Sequence, residues 1–503
     1  MLQVGFEDEV QSFSTETDRK EIQAFLHDRL EKDSVIISNH GKSLAKVFRS
    51  SGIESREIHD IILYQRIIKN GEIHKALSIE ELFKQYELSE KPDSITLFSQ
   101  MWQVWEAQKK TISELHLEQT VRLENRILWV VADLEINGIG VDAYGMIEYQ
   151  DQIRDELRAV EEEISSGLPA DFNWKDQDEL KRYLNTTFSL SLTGTGKECL
   201  PLITHAEARS IMESVLRYRS LEKTNNDIER YLVLVGEDDR AHDSIDQLGT
   251  KTGRITRDLQ TVKKVGPIRS FFRAEEGYKF VIADYSQFEV RVLTGLSGDK
   301  AALDIFRNRK DFFSEVASIG FNIGQNGKSY RKIVKPIVHG YHNGRGMYSI
   351  YDSLQKEGID ISLYAVEDFL SRYCLNFLQF FDWLDKSVKD AFQKGYAVTP
   401  LGRRLNVSST TDSKSVSNFP IQGTASDGFK LALIALDDRL RGLDASIVHV
   451  LHDEIIVEVK AEIAEAVAEI MKECMEKAFG KIFKGVPFEA NPTIATSWGQ
   501  VAE

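Results

Sequence analysis

The sequence predicts an α+β chain of about three domains, and three observations predict it. The chain is 503 residues long, enough for three cores of ordinary size. Two stretches read as strands ending in acids: Phe280-Val-Ile-Ala-Asp284, and the apolar runs that flank His452-Asp453-Glu454 between Val448 and Val459. Two others read as long amphipathic helices. Leu123, Ile127, Val130 and Leu134 fall at i, i+4, i+7 and i+11, and Ile153, Leu157, Val160 and Ile164 repeat the spacing.

Composition narrows the class. The chain is 42% hydrophobic and 28% charged, without a low-complexity tract. It lacks a run of 18 apolar residues, which predicts no membrane span. The start, Met1-Leu-Gln-Val-Gly-Phe6, lacks the basic and apolar regions of a signal peptide. Cys199, Cys374 and Cys474 are odd in number and show no CxxC spacing, so they read as reduced packing residues of a cytosol-like compartment. A net charge of −16 argues against nucleic acid when taken alone. Its distribution argues the other way. Residues 251–273 carry +6 and residues 324–350 carry +5, leaving −27 on the rest of the chain. Both basic runs flank Asp284, which points to phosphate contact.

In chain order, Ser34–Asn39 reads as a strand and Ile61–Ile68 as a helix or strand. The two amphipathic helices end at Asn137-Gly138 and Gly167, and suit an antiparallel pair. Thr193-Gly-Thr-Gly-Lys197-Glu198 lacks P-loop spacing and the hydroxyl for Mg²⁺, so it reads as a plain loop. Val281 and Ile282 lead to Asp284, and Ser286-Gln287 then open a helix that stops near Gly298. A carboxylate at a strand end beside a helix N-terminus can hold a divalent metal and a phosphate. Asp284 and Asp453 lie far apart in sequence, so they converge only if their strands share one sheet. Converging carboxylates without a cysteine–histidine cluster suit Mg²⁺ and phosphoryl transfer. Arg331, Lys335 and His339 are four apart and share a helix face, although Pro336 predicts a kinked or late-starting helix. Gly402-Arg403-Arg404 reads as a turn carrying two phosphate forks. Asn418 and Gln422 are four apart and could reach base edges, and Ala461–Phe479 is an amphipathic helix suited to cover the sheet.

These stretches carry a resemblance. Asp284-Tyr-Ser-Gln-Phe-Glu-Val-Arg291 and His452-Asp-Glu454 are similar to motifs A and C of the family A DNA polymerases. Between them, Arg331-x-x-x-Lys335 resembles the family's nucleotide-binding helix, and Asn418-Phe-Pro-Ile-Gln422-Gly-Thr-Ala-Ser-Asp427 resembles the stretch before motif C. The resemblance implies a right-hand polymerase, with a palm of antiparallel sheet and helical thumb and fingers, preceded by a small α/β exonuclease-like remnant. It divides the chain into a degenerate 3′–5′ exonuclease-like domain (1–110), thumb (111–240), palm with motif A (241–300), fingers (301–400) and palm with motif C (401–503).

The resemblance also implies roles. Asp284, Asp453 and the Tyr285 carbonyl would bind two Mg²⁺ ions, for which Mn²⁺ could substitute. Arg331 and Lys335 would neutralise the triphosphate, and Lys335 could protonate the pyrophosphate. Gln287, Glu289, His339 and His452 would surround the incoming nucleotide, with Glu289 filling the space of a ribose 2′-hydroxyl. Arg254, Gln260, Arg403, Arg404, Asn418 and Gln422 would hold primer and template. Glu454 is assigned either a supporting role beside the metals or that of a satisfied hairpin acid. Partners would be primer-template DNA and dNTPs for a cytoplasmic monomer, in the host cytoplasm if the source is viral.

The chain departs from the family in places. His339 stands where an aromatic is usual, Asn343 where a tyrosine is usual, and Phe313 where a histidine is usual. Thr261-Val-Lys-Lys-Val replaces a proline-containing stretch after Gln260. Ser14, Ser43 and Pro92 fall where exonuclease metal aspartates belong, so no exonuclease ligands and no proofreading are expected. The short chain and divergent fingers suggest a viral or mobile-element enzyme. A single-subunit RNA polymerase shares the metal aspartates and the arginine–lysine helix; Glu289, Gln422-Gly-Thr-Ala and His452-Asp-Glu454 favour DNA. A non-catalytic DNA-binding relative and an exonuclease are the remaining alternatives.

Overall fold

The computed structural model describes residues 2–6, 9–13, 24, 35–53, 57–70, 72, 77–324, 327–342 and 344–500. Ser14, Glu16, Asp18 and Asn343 lie outside the described residues. Two compact units form: Met1–Gly138 with Ser244–Gln260 and Gly277–Ala495, and Ile139–Asp243 with Thr261–Glu276 and Thr496–Glu503.

The first unit begins with a hairpin of β1 (Leu2–Phe6) and β2 (Glu9–Phe13). A parallel pair follows, β3 (Ile36–Ser38) and β4 (Ile58–Asp60), connected through α1 (Gly41–Ser50). Then come α2 (Ile61–Ile68), α3 (Ile79–Gln85), α4 (Ser94–Glu114) and α5 (Glu118–Asn137). Ile61–Ile68, readable either way from sequence, is a helix because Asp60 caps it: its carboxylate accepts from the Ile62 and Leu63 N–H groups at 3.0 Å.

The second unit holds β5 (Ile139–Gly140), α6 (Ala143–Ser166), α7 (Gln177–Phe188), α8 (Ala206–Leu232) and β6 (Arg240–Ala241). Val160 and Ile164 of α6 pack with Met212 and Val215 of α8 in its core. The helical pairing therefore differs from the expected one. The apolar stripe of α6 meets α8, while Ile127, Val130 and Leu134 of α5 enter the main core of the first unit. Both helices have an apolar face, and spacing alone does not say which partner covers it. In the loop before α8, the position of a Cβ on Gly196 is taken by the Glu198 carboxylate. An acid there would repel a phosphate; Lys197 and Glu198 themselves open a short 3-10 helix, Lys197–Leu202, where a plain loop was expected.

The chain then returns to the first unit with β7 (Ile245–Asp246), β8 (Thr256–Arg257) and β9 (Tyr278–Asp284). Next are α9 (Phe288–Ser297), α10 (Lys300–Arg307), α11 (Phe312–Gly320), α12 (Gly327–His342), α13 (Met347–Lys356), α14 (Leu363–Asn376) and α15 (Leu378–Lys394). The hairpin β10 (Tyr396–Val398) and β11 (Arg404–Asn406) leads to α16 (Ser413–Leu440), β12 (Ala445–Leu451), β13 (Glu454–Lys460), α17 (Ala464–Ala478) and β14 (Thr493–Ala495).

The central sheet has the order β12-β13-β9-β14, antiparallel throughout. β9 and β13 lie inside it, and their apolar residues from Val281 to Ala283 and from Ile455 to Val457 are at most 2% exposed. Against the sheet pack Val467, Met471 and Met475 of α17, as the amphipathic spacing requires. Pro336 does not delay α12, which runs unbroken from Gly327 to His342. An interior proline costs about 3 kcal/mol, and here Val334, Ile337 and Val338, each 0% exposed, anchor the helix on both sides of it. The three cysteines are free thiols, with Cys199 and Cys474 buried. Among the described residues no helix is long and apolar enough to cross a membrane.

Candidate active site

The site starts from sheet register. Glu454 is the cross-strand partner of Asp284, so the two acids point to the same face. Asp453 precedes Glu454 in the two-residue turn that joins β12 to β13, which brings it beside Asp284. His452, exposed at the first turn position, has φ 56°, a left-handed conformation uncommon outside glycine. Asp284 is exposed and Asp453 half-buried. Burial first, and the Asp284 charge second, push the Asp453 carboxyl up to about 7. Glu454 is itself buried, at 9% exposure, at the start of β13. The acids 169 residues apart in sequence thus converge at one sheet end.

Two side chains lock the strand–helix junction. The Tyr285 hydroxyl donates to the Met475 carbonyl at 2.7 Å, and its ring stacks on Phe288 with centroids 4.5 Å apart. Its side chain is therefore a core group, which leaves the backbone as its only route to a cation. Arg291, 1% exposed, donates to the Ser286 carbonyl at 2.9 Å and to Glu489 at 2.8 Å, with its guanidinium 4.4 Å from the Phe306 ring centroid. Gln287 takes φ 54° ahead of α9, and its side-chain oxygen accepts from the Phe312 N–H at 2.7 Å, tying α9 to α11. That engagement fixes the Gln287 side chain against the protein.

Glu289 sits on the first turn of α9 and gathers Arg254 and His339. Arg254 Nη2 donates to its Oε1 at 2.7 Å, and His339 Nδ1 of α12 faces its Oε2 across 3.7 Å. Burial works to raise the Glu289 carboxyl, but His339 and Arg254 outweigh it and hold it at about 2. His339 also packs against Phe313 with the rings tilted at 46° and centroids 5.4 Å apart. One turn along the same face, Lys335 is exposed. One turn further back, Arg331 contacts Asp311 at 3.2 Å and remains 42% exposed. The spacing of four thus produces one basic face ending at Glu289.

Of the expected DNA contacts, Arg403 is overturned. It is 3% exposed, and its Nε donates to Asp427 at 2.8 Å while its Nη2 pairs with Glu124. Lys430 Nζ donates to the same Glu124 carboxylate at 2.5 Å and to the Gln247 carbonyl at 2.8 Å. Burial alone would lower the Arg403 pKa; Asp427 and Glu124 raise it above the usual arginine value. Burial draws the Lys430 ammonium down to about 8 despite Glu124. Two carboxylates and two cations hold one another in the core, so Arg403 has no face for a phosphate. Its guanidinium instead supports a turn: a Cβ on Gly253, φ +78°, would stand 2.6 Å from Arg403 Cζ. Sequence reading missed this quartet, although Asp427 and Lys430, three apart within the apolar run of α16, were a visible signal.

The other expected contacts remain accessible. Arg404 is half-buried, its guanidinium 3.9 Å from the Tyr396 ring centroid. Asn418 and Gln422 are half-buried one turn apart on α16, between fully buried Phe419, Pro420 and Ile421. Gln260 is exposed.

The donor set fits a divalent cation held jointly with a substrate. Among the described residues no three His, Cys, Asp or Glu side chains are placed to hold a metal by themselves. Mg²⁺ commonly uses one or two carboxylates and completes its shell with substrate phosphates and water. A carboxyl pushed up to about 7 by burial first and by a neighbouring carboxylate second is one that a cation would help to ionise.

Comparison with known proteins covers the stretch of chain that carries Asp284 and Asp453. The model of DNA polymerase family A matches residues 144–500. The thermostable DNA polymerase I of Thermus aquaticus is 30% identical over 410 residues, covering 76% of this chain and 48% of that protein. DNA polymerase I of Aquifex aeolicus is 31% identical over 385 residues, covering 73% and 65%. The chain spans about half the length of several curated relatives it matches, 45% for that of Thermus thermophilus. In fold it is similar to the POL domain of Pol1 from M. smegmatis, a structure in complex with DNA primer-template and dNTP, with TM-score 0.81 and 24% identity, covering 91% of this chain and 86% of that one.

Proposed function

The chain belongs to DNA polymerase family A, and from that premise we propose that it is a DNA-directed DNA polymerase. It adds deoxynucleotides from dNTPs to a primer 3′-hydroxyl, and Asp284 and Asp453 would hold two divalent ions, Mg²⁺ or in its place Mn²⁺. The observation that carries this reading is the meeting of these two acids at the end of β9 and the β12–β13 turn. When bound, the cations would supply Lewis acidity to the attacking and leaving oxygens of an in-line displacement.

The chain's own residues do the rest. Asp284 and Asp453 orient the reacting end from the rigid end of the two inner strands. Exposed Lys335 and half-exposed Arg331 meet the triphosphate, and Lys335 gives a proton to the departing pyrophosphate. His452 lies next to Asp453 at the nucleotide's side. Glu289, ionised at any working pH, blocks the position of a 2′-hydroxyl. Arg254, Gln260, Arg404, Asn418 and Gln422 face primer and template. Tyr285 contributes its carbonyl, and Glu454 steadies the turn from the buried side. The exonuclease-like region does not proofread: Ser43 and Pro92 stand where acids are needed, and the Asp60 carboxylate is occupied by the N–H groups of Gly41, Ile62 and Leu63. The protein works as a monomer.

Primer extension with four dNTPs and Mg²⁺, run beside ribonucleotides and beside degradation of a mismatched primer, tests the reading. Extension with dNTPs alone and an intact mismatched primer are expected; binding of duplex without extension at any Mg²⁺ or Mn²⁺ concentration overturns it. Within this reading Glu289→Ala should relax discrimination against ribonucleotides by about 10–100-fold, measured as the ratio of kcat/KM values. His339→Phe removes one of the two side chains that face the Glu289 carboxylate, so it should shift the same ratio and the acceptance of dideoxynucleotides. An unchanged ratio in both variants removes the gating role.

A further inference from the structure

The N-terminal region grips the segment that carries Arg254. Arg66, at the end of α2, makes a two-pronged pair with Asp246: Nη1 to Oδ1 at 3.0 Å and Nη2 to Oδ2 at 2.8 Å. Its Nη2 also donates to the Leu248 carbonyl at 2.8 Å. Asn70 Nδ2 donates to the Lys251 carbonyl at 2.8 Å and to the Arg404 carbonyl at 2.7 Å. The Asn406 N–H returns a bond to the Asn70 carbonyl at 2.9 Å. Lys42 of α1 donates to the Ile245 carbonyl at 2.6 Å. Leu248 packs against the N-terminal core beside these bonds. Residues 245–251 are thus held by main-chain carbonyls and one carboxylate, which fixes backbone position and not merely surface contact.

The held segment runs straight into the turn at the site. Gly253 N–H donates to the Thr250 carbonyl at 2.9 Å, and the Arg254 N–H donates to Thr250 Oγ1 at 3.0 Å. The Ser426 hydroxyl donates to the Gly253 carbonyl at 2.7 Å from the far side. Arg254 then reaches Glu289 at 2.7 Å. The turn has two supports: the buried quartet beneath Gly253, and the N-terminal region through Arg66 and Asn70.

We propose that Arg66 and Asn70 are positioning residues for nucleotide addition, so that the exonuclease-like region serves synthesis by setting where Arg254 meets Glu289. This rests on the polymerase reading above. Loss of the grip lets the turn drift, and a displacement near 1 Å at a reacting centre lowers rate by roughly 10–100-fold.

The test is a double-mutant cycle in the full chain. Arg66→Ala, Arg254→Ala and the double variant are compared by kcat and KM for dNTP and by deoxy-to-ribonucleotide selectivity. Arg49→Ala, which removes the Arg49–Asp133 pair of the same region at 2.8 Å, serves as the stability control. Arg66→Ala should lower kcat about tenfold and reduce selectivity, and the double variant should be no slower than Arg254→Ala alone, because the first residue acts through the second. Arg49→Ala should shift the thermal midpoint and leave kcat and selectivity as they were. Multiplicative losses in the double variant, or an Arg66→Ala enzyme with unchanged kcat and selectivity, overturn the proposal. Asn70→Ala reports the same outcome should Arg66→Ala fail to fold. A parent chain that extends no primer overturns the polymerase reading, and this one with it.

Discussion

Asp453→Ala and Asp284→Ala are each expected to abolish primer extension, lowering kcat on the order of 10³-fold or more, because on the proposed reading each removes one of the two carboxylates that would hold the cations, and those cations would offset several kcal/mol of negative transition-state charge. Duplex affinity, read by fluorescence anisotropy, should persist, since neither acid contributes positive charge to DNA binding. Extension at more than about a tenth of the parent rate in either variant contradicts the assignment. A second readout needs no activity. The Asp453 carboxyl is pushed up to about 7, by burial and by Asp284. Such a carboxyl binds its proton more tightly in the folded than in the unfolded chain. At pH 8, without added cations, its ionised form therefore destabilises the fold. That penalty is lost as pH falls through about 7 and is gone below the unfolded value near 4. Asp453→Asn should accordingly raise the thermal midpoint at pH 8 and leave it nearly unchanged at low pH. A lowered midpoint at pH 8 would show that burial and Asp284 do not together raise the Asp453 carboxyl.

Arg403→Ala should be the most destabilising single change at the site, by about 3–5 kcal/mol, because it leaves Glu124 and Asp427 buried with an uncompensated charge. Both acids are at most 1% exposed, and Lys430 alone cannot neutralise the two. Arg404→Ala, the next residue, should cost about 1 kcal/mol or less, since it loses mainly the stacking on Tyr396. Urea unfolding of the two variants decides between them. Equal losses would contradict the buried network. A large loss of duplex affinity in Arg403→Ala with unchanged stability would restore the phosphate-contact role that the structure removes.

The pattern of what could be read beforehand follows from range. β9, its acid, the hairpin around His452-Asp453-Glu454 and the helix bearing Arg331, Lys335 and His339 were legible because each is written in consecutive residues. Alternation and spacing of four are local geometric facts. The convergence of Asp284 and Asp453 was conditional on their strands sharing one sheet, and the register of β9 against β13 meets that condition. The α6–α8 pairing was not legible, since every amphipathic helix advertises a face without naming its partner. The late start that Pro336 suggested does not occur, because local cost was weighed without the core that anchors α12 on both sides of the proline.

By itself the sequence determined which side chains can do chemistry and on which element each one rides. It could not tell Arg403 from Arg404. These adjacent guanidiniums differ only because one points at Glu124, 279 residues away, and the other at a tyrosine ring near the surface. Nor could it say that Glu289 would hold Arg254 and His339 at once, or that Asn70 would reach Lys251. A side chain's direction from its own backbone is set within a turn or a strand. Whether a charge there meets water, a phosphate or a buried counter-ion is settled by chain that arrives from elsewhere, and only the packed fold brings that chain in.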